Sequence, residues 1–185
     1  MCSDIYMTLL DMPCVFTDSD MHLVGYIDSD WAGSVQDRNS TSKCCFNLGS
    51  VVISWCSRKQ TSVALSSAET EYIAACMAAR EAVWLRKLLV GLSGHMLEPT
   101  VIHCDNQNCV QMSLNLVHHD QTKHVEMRYH YVQDMVQRHA VELQFVPTDE
   151  QVADVLTKLL VRGKFEGFQK MLTIIDDVSL IEMEC

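Results

Sequence analysis

The chain has 185 residues, 48% apolar and 21% charged, with a formal net charge of −10. That length suits one domain able to bury roughly 70% of its unfolded surface, and the acidic balance excludes a grip on nucleic acid driven by Lys and Arg alone, because phosphate binding scales with the cations that release counterions. Nine cysteines, an odd number with no Cys-x-x-Cys pair, exclude a disulfide scaffold and predict reduced thiols, as in a cytosolic or nuclear compartment.

Residues 1–22 read as a lead-in segment, with neither the basic nor the apolar region of a secretory signal. No apolar run approaches the roughly 20 residues of a membrane span, so a soluble protein with no membrane partner is expected. Residues 23–27 read as a buried strand whose carboxyl end delivers Asp28. A polar loop over 34–42 precedes two strands, 44–48 and 51–55, joined through Gly49-Ser50 as a hairpin.

A long helix is predicted over 66–92, with Tyr72, Ala75, Ala79 and Val83 on one face. Ser66 and Glu69 match a capping box, which gives Glu69 a structural task. Glu71 lies about 200° around the helix from Glu69 and has no such task. Residues 101–105 repeat the opening pattern, an apolar strand ending in an acid, Asp105. Helices over 106–115 and 118–139 follow, the second periodic in Val125, Tyr129, Val132 and Val136. A last strand spans 141–146, and Thr148 with Gln151 matches a second capping box opening a helix that carries Asp154. The order predicts an α/β fold with a mixed sheet, since the hairpin is antiparallel and helical crossovers demand parallel pairing.

Ligands of such sheets collect at the carboxyl ends of strands. Asp28 and Asp105 occupy two such ends, and Glu71 and Asp154, in the first turns of helices, can complete a cluster. Four carboxylates in one place repel one another, and two divalent ions about 4 Å apart would relieve that and support in-line phosphoryl hydrolysis. Each acid also has a structural reading. Asp30 shares the strand face of Asp28 and is its rival as the ligand, Asp105 could cap the helix after it, and Asp154 could be a solvated first-turn acid. His118, His119, His124, His130 and His139 have no Cys pair at zinc-finger spacing; Thr122-Lys123-His124 reads instead as ordering a loop or meeting phosphate. Trp31, Trp55 and Trp84 read as core or half-buried packing residues, and the methionines as gap fillers.

Several ordered motifs carry a family resemblance: Gly25-Tyr26-Ile27-Asp28-Ser29-Asp30-Trp31-Ala32-Gly33, Ser40-Thr41-Ser42, Ile53-Ser54-Trp55-Cys56-Ser57-Arg58-Lys59-Gln60, Ala64-Leu65-Ser66-Ser67-Ala68-Glu69-Thr70-Glu71-Tyr72-Ile73-Ala74-Ala75, Cys104-Asp105-Asn106-Gln107, Thr122-Lys123-His124 and Ala153-Asp154-Val155-Leu156-Thr157-Lys158. Over about residues 23–172 the chain resembles the ribonuclease H domain of copia-type (Ty1/copia) LTR retrotransposon polyproteins, which leaves 173–185 as a C-terminal tail. The resemblance implies a ribonuclease H-like fold, a five-stranded mixed sheet flanked by helices. It implies an endonuclease that hydrolyses the RNA strand of RNA/DNA hybrids with two Mg²⁺ ions, for which Mn²⁺ would substitute, and a reverse transcriptase domain as neighbour in the parent polyprotein. By motif it assigns the metal-binding catalytic acids to Asp28, Glu71, Asp105 and Asp154, and places Ser67, Asn106 and Gln107 beside the substrate.

The chain departs from the family pattern at Lys43, where Gly follows Ser-Thr-Ser, and at Leu159, where Pro follows Thr-Lys. It also has no Tyr-x-Asp-Asp polymerase motif, and residues 146–151 lack the His that the wider ribonuclease H family often carries before the last acid. The departures at Lys43 and Leu159, with the charge of −10, support an alternative from another class, a domesticated interaction module that keeps the fold with weak or no catalysis; the missing His does not count toward it, since copia-type domains look similar in lacking it. A transposase or integrase of the same fold is the third reading; that class usually ends its cluster in Glu, whereas Asp154 is Asp.

Overall fold

The computed structural model describes residues 22–34, 36–49, 51–94, 97–114 and 123–153. Five strands form one sheet: β1 (Leu23–Asp30), β2 (Thr41–Leu48), β3 (Val51–Lys59), β4 (Thr100–Cys104) and β5 (Val141–Phe145), in the order β3-β2-β1-β4-β5. β1, β2 and β3 pair antiparallel, whereas β1 with β4 and β4 with β5 pair parallel, so the sheet is mixed as expected. Three helices accompany it: α1 (Ser67–Ser93), α2 (Gln107–Leu114) and α3 (Lys123–Gln137).

One face of the sheet packs on α1. Leu23 and Ile27 from β1, Cys44, Phe46 and Leu48 from β2, and Ile102 and Cys104 from β4 alternate toward it, as period two requires. The helix answers with small side chains: Ala74, Ala75, Ala78, Ala79 and Ala82 are all fully buried. Alanine at these positions lets the helix axis approach the sheet closely. Val83 is only half-buried, and Ala82 and Leu85 extend the stripe instead. Val132 from α3 closes the same core, with Met77, Met112 and Met135 filling its margins.

The ends of α1 are determined by local chemistry. Ser66 Oγ accepts from the Glu69 amide at 3.2 Å, and Glu69 Oε2 accepts from the Leu65 amide at 2.7 Å, so Glu69 folds back one residue beyond the N-cap. Gly94, at φ 73°, ends the helix in the left-handed region and its amide donates to the Val90 carbonyl at 2.9 Å. None of the described helices is long and apolar enough to cross a membrane.

The strands run further than the apolar pattern indicated. β1 continues through Asp28 to Asp30, and β2 begins at Thr41, within the predicted loop. A buried polar network makes this possible. Gln60 Nε2 donates to Ser42 Oγ at 2.8 Å and to the Thr70 carbonyl at 3.0 Å, while Ser40 Oγ meets Thr70 Oγ1 at 3.3 Å and accepts from the Ala32 amide at 2.9 Å. Hydroxyls that read as loop chemistry are thus satisfied inside the sheet's edge.

Two expectations are corrected. Trp31, Trp55 and Trp84 are 57%, 60% and 46% exposed: Trp31 lies in the turn after β1, Trp55 alternates with the buried Ser54 of β3, and Trp84 lies outside the buried stripe of α1. Thr148 caps no helix: a 3₁₀ turn spans Thr148–Glu150, Pro147 stands at its cap without a side-chain bond, and the threonine hydroxyl is used elsewhere. The lead-in over 1–21, His118 and His119, Thr122, Asp154, Leu159 and the tail lie outside the described residues.

Candidate functional site

β1 and β4 run side by side toward their carboxyl ends. Their register pairs Val24 with Val101, Gly25 with Ile102 and Tyr26 with His103. Continued by two residues, it sets Asp28 level with Asp105. Tyr26 and His103 share the face away from α1, with ring centroids 5.0 Å apart. Asp28 is 3% exposed, inside its strand rather than at the strand's end.

Asp30 has a different task from Asp28. Its Oδ1 accepts from the Thr41 amide, closing the loop between β1 and β2.

Glu71 comes from the first turns of α1 and is 5% exposed. Ser29 holds it through two bonds to Oε1, from the amide at 3.0 Å and from the hydroxyl at 2.7 Å. The Cys104 thiol donates toward Oε2 at 3.9 Å. Burial pushes the Glu71 carboxyl up to about 8, and the Asp28 and Asp105 charges push the same way against the lowering effect of the Ser29 bonds. Ligand atoms of Glu71, Cys104 and Asp105 all lie within 4.8 Å of one another, the one such His, Cys, Asp and Glu grouping among the described residues.

Asp105 follows β4 directly and is half-buried, and Thr148 Oγ1 donates to its Oδ2 at 3.0 Å. The capping alternative for Asp105 does not hold, because the Asn106 side chain takes that position: its Oδ1 accepts from the Cys109 amide at 3.1 Å. Val146 donates its amide to the Cys104 carbonyl at 3.0 Å, and the fully buried Gln151 donates to the His103 carbonyl at 3.5 Å. These bonds fasten the segment after β5 to the end of β4 as far as Ala153; Asp154 is the next residue and lies outside the described ones.

Of the other candidates, Ser67 is exposed one helical turn before Glu71, and Gln107 is exposed at the start of α2. Asn106 is half-buried, with its side-chain oxygen engaged in the cap. Sequence reading missed three residues that shape the site: Ser29, Cys104 and Thr148. The available signals were adjacency to Asp28 and Asp105 for the first two; nothing local marks Thr148, which reaches Asp105 across 43 residues of chain.

The donor set suits a hard divalent cation. Carboxylate oxygens of the Asp and Glu type are its preferred ligands, and a carboxyl that holds its proton at neutral pH because it is buried, with two other carboxylates adding to the effect, is a group that a cation would ionise.

Comparison with models of known protein families gives no match. The chain is 40% identical over 151 residues to the retrovirus-related Pol polyprotein from transposon TNT 1-94 of Nicotiana tabacum, which covers 82% of this chain and 11% of the polyprotein. Pol polyproteins from transposons RE2 and RE1 of Arabidopsis thaliana are 37% and 38% identical over 84% and 80% of the chain. The chain thus spans about a tenth of the length of the curated relatives it matches.

Among solved structures, the N-terminal ribonuclease H domain of a Mycobacterium tuberculosis protein superposes with a TM-score of 0.53 at 15% identity, covering 81% of this chain and 97% of that one. A foamy viral protease-reverse transcriptase in complex with an RNA/DNA hybrid gives 0.54 at 13% identity, covering 84% and 23%. Sequence kinship and topology together make the chain a homologue of one segment of copia-type retrotransposon Pol polyproteins, with the ribonuclease H fold.

Proposed function

We propose that the chain is a metal-dependent endonuclease that hydrolyses the RNA strand of RNA/DNA hybrids. In this reading Asp28, Glu71, Asp105 and Asp154 hold two Mg²⁺ ions, with Mn²⁺ as substitute. The observation that carries it is Glu71: a carboxyl 5% exposed, locked in place by Ser29, whose proton is retained chiefly because it is buried, with the Asp28 and Asp105 charges adding to the effect. A cation would stabilise the charged form of such a group, and Asp105, with a ligand atom within 4.8 Å of it, offers a second carboxylate.

Bound metal supplies an activated water and charge neutralisation at the leaving oxygen. The protein's own contribution is placement. Ser29 sets the rotamer of Glu71, Thr148 orients Asp105, and the parallel register of β1 and β4 brings Asp28 level with Asp105. Ser67, Asn106 and Gln107 stand at the rim, where side chains can meet the 2′-hydroxyls that distinguish RNA from DNA. With a net charge of −10, the hybrid would be held through metal and short-range contacts rather than by a basic surface. The Pol relatives support a longer parent chain, and the likeness to the foamy viral protease-reverse transcriptase supports a reverse transcriptase domain as neighbour in it.

The test is incubation of the purified protein with a labelled RNA/DNA hybrid in Mg²⁺ or Mn²⁺, beside an RNA duplex and an Asp28→Asn control. Hybrid-only cleavage that falls to the no-protein level in the control is the expected result. Cleavage retained by a folded Asp28→Asn protein overturns the assignment of the acids. A folded wild-type protein that cuts nothing leaves the interaction-module reading in its place.

A further inference from the structure

On its other side, β1 pairs with β2, and the antiparallel register sets Lys43 directly opposite Asp28. Residues opposite each other in such a pair project from the same face, with Cβ atoms about 4.5–5.5 Å apart. Both are buried, Asp28 at 3% exposure and Lys43 at 6%. Asp28 therefore stands between the carboxylate that follows β4, Asp105, and an ammonium-bearing side chain on β2.

A lysine this well covered is unusual, because burying an ammonium costs several kcal/mol unless an opposite charge compensates it. Its strand is also tightly held. The neighbouring Ser42 is clamped by Gln60, and Gln60 in turn by the Thr70 carbonyl of α1, the residue before Glu71. The backbone of Lys43 is thus fixed relative to the acids, and only the flexible four-carbon stem decides where its charge goes. Asp28, directly opposite in the register, is the acid that the strand pairing sets beside it.

We propose that Lys43 acts as a built-in cation of the acidic cluster, competing with divalent metal for the Asp28 side of the site. The inference rests on the metal-dependent reading above and specifies its regulation. Lys43 neutralises part of the charge that would attract the metal, and its stem fills space beside Asp28 that a residue without a side chain would leave open. The protein is thereby stable without metal and binds metal weakly.

The test measures Mn²⁺ binding from the free-ion electron paramagnetic resonance signal, on wild type, Lys43→Met, Lys43→Gly and Lys43→Arg, with unfolding midpoints recorded with and without Mn²⁺. Lys43→Met and Lys43→Gly should bind Mn²⁺ at least about tenfold more tightly than wild type, while Lys43→Arg, which keeps the charge, stays weak. In chelator, Lys43→Met should melt below wild type, and Mn²⁺ should restore it. Tightening in Lys43→Gly alone would make the effect one of volume and overturn the charge role. Equal Mn²⁺ affinity in all four proteins overturns the role of Lys43 and leaves the metal site standing. Absence of Mn²⁺ binding from all four overturns both, and Asp28→Asn in the Lys43→Gly background locates any tightened binding at the acids.

Discussion

Ser29 grips Glu71 from two directions at once, its amide at 3.0 Å and its hydroxyl at 2.7 Å from the same carboxylate oxygen. The pair joins the strand that carries Asp28 to the helix that carries Glu71. Replacing Ser29 with Ala keeps the amide bond and removes the hydroxyl one. Stability should drop by about 1 kcal/mol in urea titration, and Mn²⁺ affinity should fall about tenfold, as when an outer partner of a metal ligand is lost. Unchanged Mn²⁺ affinity would show that the hydroxyl does not position Glu71.

The raised Glu71 carboxyl makes stability depend on pH in a definite direction. Its value in the fold is about 8 against an ordinary 4.5, so between those limits the folded chain keeps a proton that the unfolded chain has released. The contribution is fully present below about pH 4.5 and is lost as pH rises through about 8. Metal-free protein should lose up to about 1.4 kcal/mol per pH unit across that window from this group. Glu71→Gln, which cannot ionise, should flatten that part of the profile in chelator. Saturating Mg²⁺ should flatten it as well, with proton release visible as a buffer-dependent heat in calorimetry.

Gly25 faces Phe46 across the β1–β2 pair, and a Cβ built on it falls 2.6 Å from the Phe46 ring. Phe46 is fully buried under α1 and has no room to withdraw. Gly25→Ala should destabilise by about 1–3 kcal/mol, the cost of overpacking a filled core, read as a lower urea midpoint with an unchanged slope. Phe46→Leu in the Gly25→Ala background should recover part of the loss. If Gly25→Ala alone were neutral, the close approach would not be a packing constraint.

Cys44 and Cys56 stand opposite each other in the β2–β3 hairpin, at the side of a cavity of about 310 Å³ that Arg58, Met77, Arg80, Glu81 and Trp84 also line. The Cys44 thiol donates to Cys56 and the Arg58 guanidinium lies near, so the Cys56 thiol is pulled down while burial and the same bond push Cys44 up. All six described cysteines are free. Cys56 should react first among them with iodoacetamide at neutral pH, because the thiolate is the nucleophile. Arg58→Ala should slow it, which peptide mapping after timed quenching would read. Faster labelling of Cys45 than of Cys56 would contradict this order.

Much of the fold was legible because local patterns and sheet physics agree. The apolar runs of β1 and β4, the capping box at Ser66 and the three-and-four spacing of Tyr72, Ala75 and Ala79 in α1 each reflect interactions within a few residues, so they survive without knowledge of the tertiary structure. Strand lengths were underestimated because Ser42 and Gln60 are polar and are satisfied only when β2, the end of β3 and α1 meet. The tryptophans were misplaced for the converse reason: their apolar area suggests burial, and only the assembled layers reveal that Trp31, Trp55 and Trp84 face outward.

By itself the sequence determined that three acids, Asp28, Glu71 and Asp105, sit near the ends or first turns of their elements, since that position follows from periodicity. Only the tertiary structure decided what stands beside them. Ser29 on Glu71 and Thr148 on Asp105 are contacts across 42 and 43 residues, and the pairing of Lys43 with Asp28 depends on a hairpin register that a one-residue slip would reverse. Pattern specifies which face a side chain occupies, whereas register and helix placement specify its neighbours, and the charge of those neighbours sets what the site can hold.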